Sequence, residues 1–385
     1  QQEYAQAIKQ AETLLHGQLP LEQRLAMLSL VAHAHFELND YAASEQAARD
    51  WLDMATQRHA DQPVLQSLLA NSVYRQAQAA REAGDPQTVQ QLLRLRSLAP
   101  ANLDNPAGRL RASASLQAAQ LQLNSEQWSA AAHTLEELQR AFPKHPKQAE
   151  IARGLALTYE KQGQQEKAAA AYARFGQATD DPELRRAAAF QAAELHYQAG
   201  RLGPAAEAFT AYCQAHPRPL QDHLQAQNRL VDIYTRLNDS RRLEWLRKIV
   251  QTDASAGSQR SDVSRSLAAN AALQLADAEA AAYHRSALRP PLDQSIVKKQ
   301  TALETALNAY SKAADYAVAE TTTAASYQIA ELYRDFAASL LKAPPPGNLS
   351  AAERDEMQVL LEEQAFPLEA KAIQIHETNV ARLQQ

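Results

Sequence analysis

One short segment recurs along this chain at a constant interval of 37 residues, and this recurrence limits the possible folds more than any other feature. Three gapless copies occupy residues 128–135, 165–172 and 202–209. The fourth position of each copy is a small residue, Ala131, Ala168 or Ala205, and the eighth is a large apolar or aromatic one. A fixed period of this length is typical of a supersecondary unit that buries its apolar face only by stacking on neighbouring copies.

The composition favours helices along the whole chain. Alanine supplies about a fifth of the residues, and Leu, Gln, Glu and Arg supply most of the others. These residues lose little conformational entropy in a helix. The sequence contains no runs of β-branched and aromatic residues with a period of two, so it predicts no sheet of meaningful size. We therefore predict an all-α fold, and 385 residues exceed the roughly 250 to 300 that one compact core usually holds.

Charge and cysteine content argue against several functional classes. The net charge is −5, with 39 basic and 44 acidic residues spread along the chain, which disfavours nucleic acid as a partner. The single cysteine, Cys213, cannot form an intramolecular disulfide and is interpreted as a small core residue. No apolar run approaches the roughly 18 residues of a transmembrane helix. Residues 1–4 resemble neither an initiator methionine nor a signal peptide, so the chain is interpreted as a processed or excised piece.

The middle copy belongs to the fullest motif in the sequence. Its residues are Leu155, Ala156, Tyr159, Gly163, Ala168 and Tyr172. This pattern resembles the tetratricopeptide family, in which two antiparallel helices form a unit of about 34 residues and a small residue on the second helix allows close packing. Gly163, and Gly200 one period later, suit the left-handed conformation at a helix C-terminus. The extra three residues per unit are expected to lengthen loops or helices.

Weaker copies flank the clear units, which span about 112–217. A turn followed by an amphipathic stretch occurs near residues 39–41, 84–86 and 237–239. Together they predict roughly six helical pairs up to residue 250, in a tetratricopeptide-like array over 1–255 that stacks into a superhelix with an extended concave surface. Small polar residues at 251–258 then interrupt the rhythm, so we predict a separate C-terminal helical region over 256–385. That region either caps or extends the array.

Longer helices are expected in the C-terminal region. Residues 262–288 predict one helix ended by Pro290-Pro291, and residues 293–342 predict a very long helix or two nearly collinear ones. Pro344-Pro345-Pro346-Gly347 predicts a rigid break.

A final helix is expected to begin after Ser350. The spacing from Ser350 to Glu353 fits a capping box, in which each side chain bonds the backbone of the other residue. Apolar periodicity resumes after Pro367, so this proline is expected to kink the helix and not to end it.

Specific phrases mark the last 125 residues or so. They occupy residues 308–310, 313–325, 328–333, 361–367 and 375–379. These phrases resemble the C-terminal region of a family of bacterial envelope repeat proteins that accompany proton-driven motors of the TolQ–TolR or ExbB–ExbD type, with relatives in gliding-motility machinery. The resemblance implies a periplasmic or outer-membrane-associated scaffold that links a motor to envelope partners, and it brings no catalytic residues. It also implies a final helix beyond the point where this chain stops.

Candidate catalytic and metal-binding groups are weak in this sequence. His376-Glu377 lacks the second histidine four residues on that a metalloprotease helix requires. Adjacent carboxylates such as Glu136-Glu137 diverge on a helix and are interpreted as solvated. No glycine-rich phosphate loop and no nucleophile elbow occurs. We therefore predict no enzymatic activity, no metal and no cofactor.

The candidate binding site is the groove lined by the first helices of the repeats. Aligning Tyr159, His196 and Ile233 places an inward-facing set at fixed offsets on three helices. The set is Arg153, Leu157, Glu160, Phe190, Glu194, Tyr197, Gln227, Val231 and Tyr234. Aromatic residues among a few charges suit an extended peptide or a partner helix, whereas an equally weighted interpretation is that several of them only pack between helices.

Three functional hypotheses follow from these patterns. The leading one is a non-enzymatic periplasmic scaffold for an envelope energy-transduction or motility complex. The second is a generic peptide-binding adaptor, which the repeats alone support. The third is the helical accessory region of a cell-wall enzyme. The identity of the partner and the oligomeric state stay open in all three.

Overall fold

The computed structural model describes residues 1–55, 59–346 and 349–383, and helices are the main element in each of these ranges. Contacts divide it into two compact units, residues Gln1–Gly200 and Arg201–Gln385. This division lies at residue 200, whereas the domain boundary predicted from the change in composition lies near residue 255. The predicted boundary stays a prediction. Gly347 of the predicted proline-rich break lies outside the described residues, and Ala343 to Pro346 before it are not helical.

Consecutive helices of the first unit pack against one another in sequence. The helices are α1 (Gln2–Leu15), α2 (Leu21–Glu37), α3 (Tyr41–Met54), α4 (Gln62–Glu82), α5 (Thr88–Leu93), α6 (Leu95–Leu98), α7 (Pro106–Asn124), α8 (Trp128–Ala141), α9 (Gln148–Lys161), α10 (Gln165–Ala178) and α11 (Pro182–Gln198). Side-chain caps from Asp40, Asn105 and Asp181 satisfy backbone N–H groups at the starts of α3, α7 and α11.

The second unit repeats this serial packing with longer helices toward its end. The helices are α12 (Leu202–Ala215), α13 (Leu220–Arg236), α14 (Arg241–Ala254), α15 (Asp262–Arg285), α16 (Leu292–Ala314), α17 (Ala319–Leu341) and α18 (Ala351–Leu383). A short 3-10 turn, Gly257–Gln259, separates α14 from α15. Cys213 is buried in α12, as predicted, and this burial raises the pKa of its thiol to about 12.

The 37-residue period sets where the second helix of each clear repeat begins. α8, α10 and α12 begin at Trp128, Gln165 and Leu202, and each contains 14 residues. Their small residues Ala131, Ala168 and Ala205 have no exposed surface (0%). This confirms the tetratricopeptide-like all-α fold, in which a small side chain on the second helix lets its neighbours approach closely.

Left-handed residues end the first helix of successive repeats. Gly163 has φ of 70° and Gly200 has φ of 71°, as their positions predicted. Glu126, one period before Gly163, adopts φ of 56° although it carries a side chain. The backbone N–H of Gln164 donates to the Tyr159 carbonyl at 2.8 Å, the long bond of a Schellman turn. This turn reverses the chain so that the second helix returns along the first.

Buried or half-buried tyrosines donate hydrogen bonds to carboxylates of other helices in both units. Tyr159 Oη donates to Glu136 at 2.6 Å and Tyr172 Oη donates to Glu160 at 2.7 Å. Two further pairs of the same kind lie in the second unit. They are Tyr283 with Asp335 at 2.8 Å and Tyr310 with Asp277 at 2.7 Å. Burial and then the hydrogen bond raise the pKa of each of these phenols, so they stay neutral donors at physiological pH.

One prediction for the C-terminal region was wrong. Residues 293–342 form neither one helix nor two collinear ones, because α16 and α17 pack against each other. The turn between them contains Ala317 with φ of 54°, and Thr322 Oγ1 donates to the Ala314 carbonyl at 3.2 Å. No glycine or proline marks this turn in the sequence.

The predicted start of the last helix was correct. The Ser350 N–H donates to Glu353 at 2.7 Å, and the Glu353 N–H donates to Ser350 Oγ at 3.3 Å, which completes the capping box. These hydrogen bonds lower the pKa of the Glu353 carboxyl. α18 continues through Pro367, as its apolar periodicity predicted.

Replacing a buried repeat alanine is expected to destabilise the first unit. Ala168→Trp adds a ring where no surface is exposed, so the free energy of unfolding should fall by about 1 to 3 kcal/mol in urea denaturation. Ala170→Trp, at an exposed position of the same helix, is the matched control and should change stability little. Equal effects of the two substitutions would contradict the close-packing role of Ala168.

Alanine substitution at two glycines should have opposite effects on stability. Gly163 has a left-handed backbone, and a Cβ added there would meet no atom beyond its chain neighbours within 4 Å. Gly176 lies inside α10, and a Cβ added there would make ordinary van der Waals contact, 3.5 Å from Ala188 Cβ and from the Arg185 carbonyl oxygen. Gly163→Ala should therefore cost about 1 kcal/mol through backbone strain alone. Gly176→Ala should add about 0.5 to 1 kcal/mol through helix propensity. Melting temperatures that shift in the same direction would contradict this assignment.

Candidate partner-binding groove

The predicted groove residues of α9 lie at the surface of the first unit. Arg153 and Leu157 are exposed, and Glu160 is half-buried. An exposed leucine between two charged residues is available to an apolar group of a partner. These positions therefore agree with a binding face on the first helix of this repeat, although contact with a partner stays a prediction.

Glu160 holds three helices together beside this face. One of its oxygens accepts the Tyr172 phenol of α10 at 2.7 Å, and the other accepts the Gln191 amide of α11 at 3.2 Å. Charged acceptors make stronger hydrogen bonds than neutral ones. Glu160 therefore fixes the relative position of α9 and α11, in addition to any contact that it makes with a ligand.

The predicted residues of α11 are less accessible than those of α9. Phe190 and Tyr197 are half-buried, and Glu194 is buried. Both aromatic rings keep part of their surface in solvent, so they can contribute apolar contact area to the same side of the first unit as Glu160 and Gln191.

The predicted residues of α13 belong to the second unit and are buried there. Gln227 donates to Thr252 of α14 at 3.1 Å, and the Arg241 guanidinium lies over the Tyr234 ring at 4.5 Å. Val231 is also buried. In the free chain these three side chains pack between helices, which is the behaviour that the packing interpretation expects. Their contact with a partner stays a prediction.

A cavity of about 560 Å³ lies between α7 and the start of α9. Its lining residues are Leu103, Arg109, Ala112, Ser113, Leu116, Gln117, Gln120, His145, Pro146, Lys147 and Glu150. Moving Arg153, Leu157 and Glu160 back by one 37-residue period gives Leu116, Gln120 and Leu123, and the first two of these line the cavity. The same repeat register therefore extends the predicted face to α7, a helix outside the set predicted from the sequence.

The cavity combines an apolar floor with a polar rim. Leu103, Ala112 and Leu116 form the floor, and Lys147 pairs with Glu150 on the rim at 3.1 Å. His145 Nδ1 accepts the Lys147 backbone N–H at 3.0 Å, so in the neutral ring the proton is on Nε2. Burial, and then the charge of Lys147, lower the pKa of His145. His145 is therefore a neutral hydrogen-bond donor at the edge of an apolar cavity.

Within the described ranges, no helix is long and apolar enough to cross a membrane. In the same residues, no three His, Cys, Asp or Glu side chains converge as a group that could hold a metal ion. The chemistry that these residues do offer at the α7–α9 face is apolar contact together with neutral and charged hydrogen bonding.

The arrangement of helices makes the chain a tetratricopeptide-like helical repeat protein. The chain matches no protein-family model and no curated protein sequence. Among solved structures it is similar to the C-terminal part of a TPR repeat-containing protein from Cytophaga hutchinsonii, with a TM-score of 0.31 and 14% identity over 67% of this chain and 93% of that one. A structure of Naa15/Naa10 bound to HypK-THB has a TM-score of 0.34 and 14% identity over 93% and 58%. At such low TM-scores these similarities support no inference about function.

Tyr159 should make stability depend on pH in the alkaline range. Burial, and then the hydrogen bond to Glu136, raise its pKa from 10.0 to about 12 in the folded chain. Because folding favours the neutral phenol, this contribution to the free energy of unfolding is complete below pH 10 and is lost as the pH rises toward 12. Tyr159→Phe should lower stability at neutral pH and reduce the alkaline decline in urea unfolding. Parallel pH profiles for the two proteins would contradict this role.

Proposed function

We propose that the chain is a non-enzymatic protein-interaction scaffold that binds an extended peptide or a partner helix along the α7–α9 face. The observation that carries this proposal is the 560 Å³ cavity, because two of the three α7 positions in the groove register, Leu116 and Gln120, line it. The apolar floor suits a large apolar side chain of the ligand. The rim, with His145 as a donor and Lys147 and Glu150 as charges, suits the polar groups on either side of it.

We further propose that this scaffold works in the periplasm or at the outer membrane, as a link between a proton-driven motor and other envelope proteins. This finer proposal is supported by the phrases at residues 313–325, 361–367 and 375–379 and by their resemblance to the envelope repeat proteins. Incubation of the immobilised chain with separate envelope and cytosolic extracts tests it. Recovery of motor or outer-membrane components from the envelope extract is expected, and recovery of cytosolic proteins alone would count against it.

Filling the cavity should abolish peptide binding without unfolding the chain. Ser113 is half-buried in the cavity wall, so Ser113→Trp places an indole in the space proposed for the ligand. A peptide selected from a random display library on the wild-type chain should bind this variant at least about tenfold more weakly, the cost expected for a central contact of an interface. Fluorescence anisotropy measures this affinity, and circular dichroism checks that the variant keeps its helices.

The matched control is Ser129→Trp, which adds the same ring at an exposed position of α8, a second helix of the repeats. Its affinity for the selected peptide should equal that of the wild type. If Ser129→Trp weakened binding while Ser113→Trp did not, the ligand would lie on the second helices and the α7–α9 site would be refuted.

A further inference from the structure

α18 exposes a row of large apolar side chains to solvent. Val359, Phe366, Ile373 and Val380 are 54%, 73%, 58% and 55% exposed and are spaced by seven residues. Seven residues are close to two helical turns, so these side chains share one face of the helix. We call this set the α18 outer face. An isolated exposed apolar residue is ordinary, whereas a regular row of four is not.

The α18 outer face is separate from the face that holds α18 in the second unit. The packed face contains Ala365, Ala372 and Asn379, which are buried and also spaced by seven, while α18 packs on α17. Each outer-face residue from Phe366 onward directly follows a packed residue, and so lies about 100° further round the helix. α18 therefore has two parallel heptad rows, and α17 covers only one of them.

The C-terminal half of the α18 outer face includes a shallow depression that is open to solvent. Its volume is about 480 Å³, and its lining residues all belong to α18: Ile373, His376, Glu377, Val380 and Ala381. Tyr327 of α17 is itself exposed, and its ring contacts the His376 ring edge to face, with 5.5 Å between the ring centroids. His376 lies 3.3 Å from Glu331 of α17. These contacts hold His376, one of the lining residues, against α17.

Acidic residues alternate with the apolar ones along this face. Glu362 and Glu363 lie between Val359 and Phe366, Glu369 lies before Ile373, and Glu377 lies before Val380. These carboxylates are exposed and, at three or four residues from the apolar side chains, are their neighbours on the helix surface. The nearby cation Lys371 instead lies over the Tyr333 ring of α17, at 4.6 Å.

We propose that the α18 outer face binds a basic amphipathic helix of a partner protein, with apolar residues at heptad spacing and Lys or Arg beside them. Apolar knobs from such a helix would cover the exposed row, and its cations would pair with Glu362, Glu369 and Glu377. A second copy of this chain would bring the same glutamates face to face, and an anionic membrane would be repelled in the same way. This site is separate from the α7–α9 groove, so either proposal can fail without the other.

Two synthetic heptad peptides test the proposal on the full chain. Both have leucine at the apolar positions, and the flanking positions are lysine in one and glutamate in the other. The lysine peptide should bind, and its affinity should fall as added salt shortens the Debye length below about 10 Å. The glutamate peptide should not bind. Equal binding of the two peptides would show nonspecific apolar adhesion and would overturn the proposal.

Paired substitutions locate the site and its charge preference. Phe366→Ser with Ile373→Ser should weaken lysine-peptide binding at least about tenfold. Val297→Ser, at a 63% exposed position of α16, is the matched control and should leave it unchanged. Glu362→Lys with Glu369→Lys should transfer binding to the glutamate peptide. If the wild-type chain self-associates and the Phe366→Ser variant does not, a second copy is the occupant. If the chain binds zwitterionic vesicles and this binding requires Phe366, a lipid surface is the occupant. Either result would overturn the proposal.

Discussion

The repeats of this protein depend on helices that approach closely because the side chains between them are small. Ala131, Ala168 and Ala205 have no exposed surface. Gly154 of α9 also lies close to Leu135 of α8, since a Cβ added at Gly154 would lie 2.8 Å from Leu135 Cδ1. Dense packing of this kind transmits changes in side-chain volume directly to neighbouring helices. The positions of the first helices in the regular repeats, and of the groove residues on them, depend on this spacing.

Periodicity predicted helices well wherever the period itself was regular. It located α8, α10 and α12 because a buried alanine must recur at the same place in each unit. It did not locate the left-handed residue Glu126 or the turn at Ala317, since neither is a glycine or proline. A local turn formed by an ordinary residue is selected by the packing of the helices on both sides, and this information is not present in the turn sequence.

The candidate site shows the same division between what a repeat pattern can and cannot predict. The offsets on α9 identified the exposed side chains Arg153 and Leu157, and one period earlier the equivalent residues Leu116 and Gln120 line the cavity. They could not predict the burial of Tyr234, because its depth depends on Arg241 at the start of α14. α14 begins 39 residues after α12, so the regular period no longer describes its surroundings.

The tyrosine–carboxylate pairs have a consequence for the conditions in which this scaffold can function. Salt weakens the attraction between two charges, but a neutral phenol that donates a hydrogen bond to a carboxylate carries no net charge for dissolved ions to screen. The hydrogen bonds between helices should therefore persist through large changes in ionic strength. Their donors are Tyr159, Tyr172, Tyr283 and Tyr310. The charge pairs proposed for the glutamates beside the α18 outer face would be screened by salt. If the proposed partner helix binds there, ionic strength would regulate that binding while leaving the fold of the chain intact.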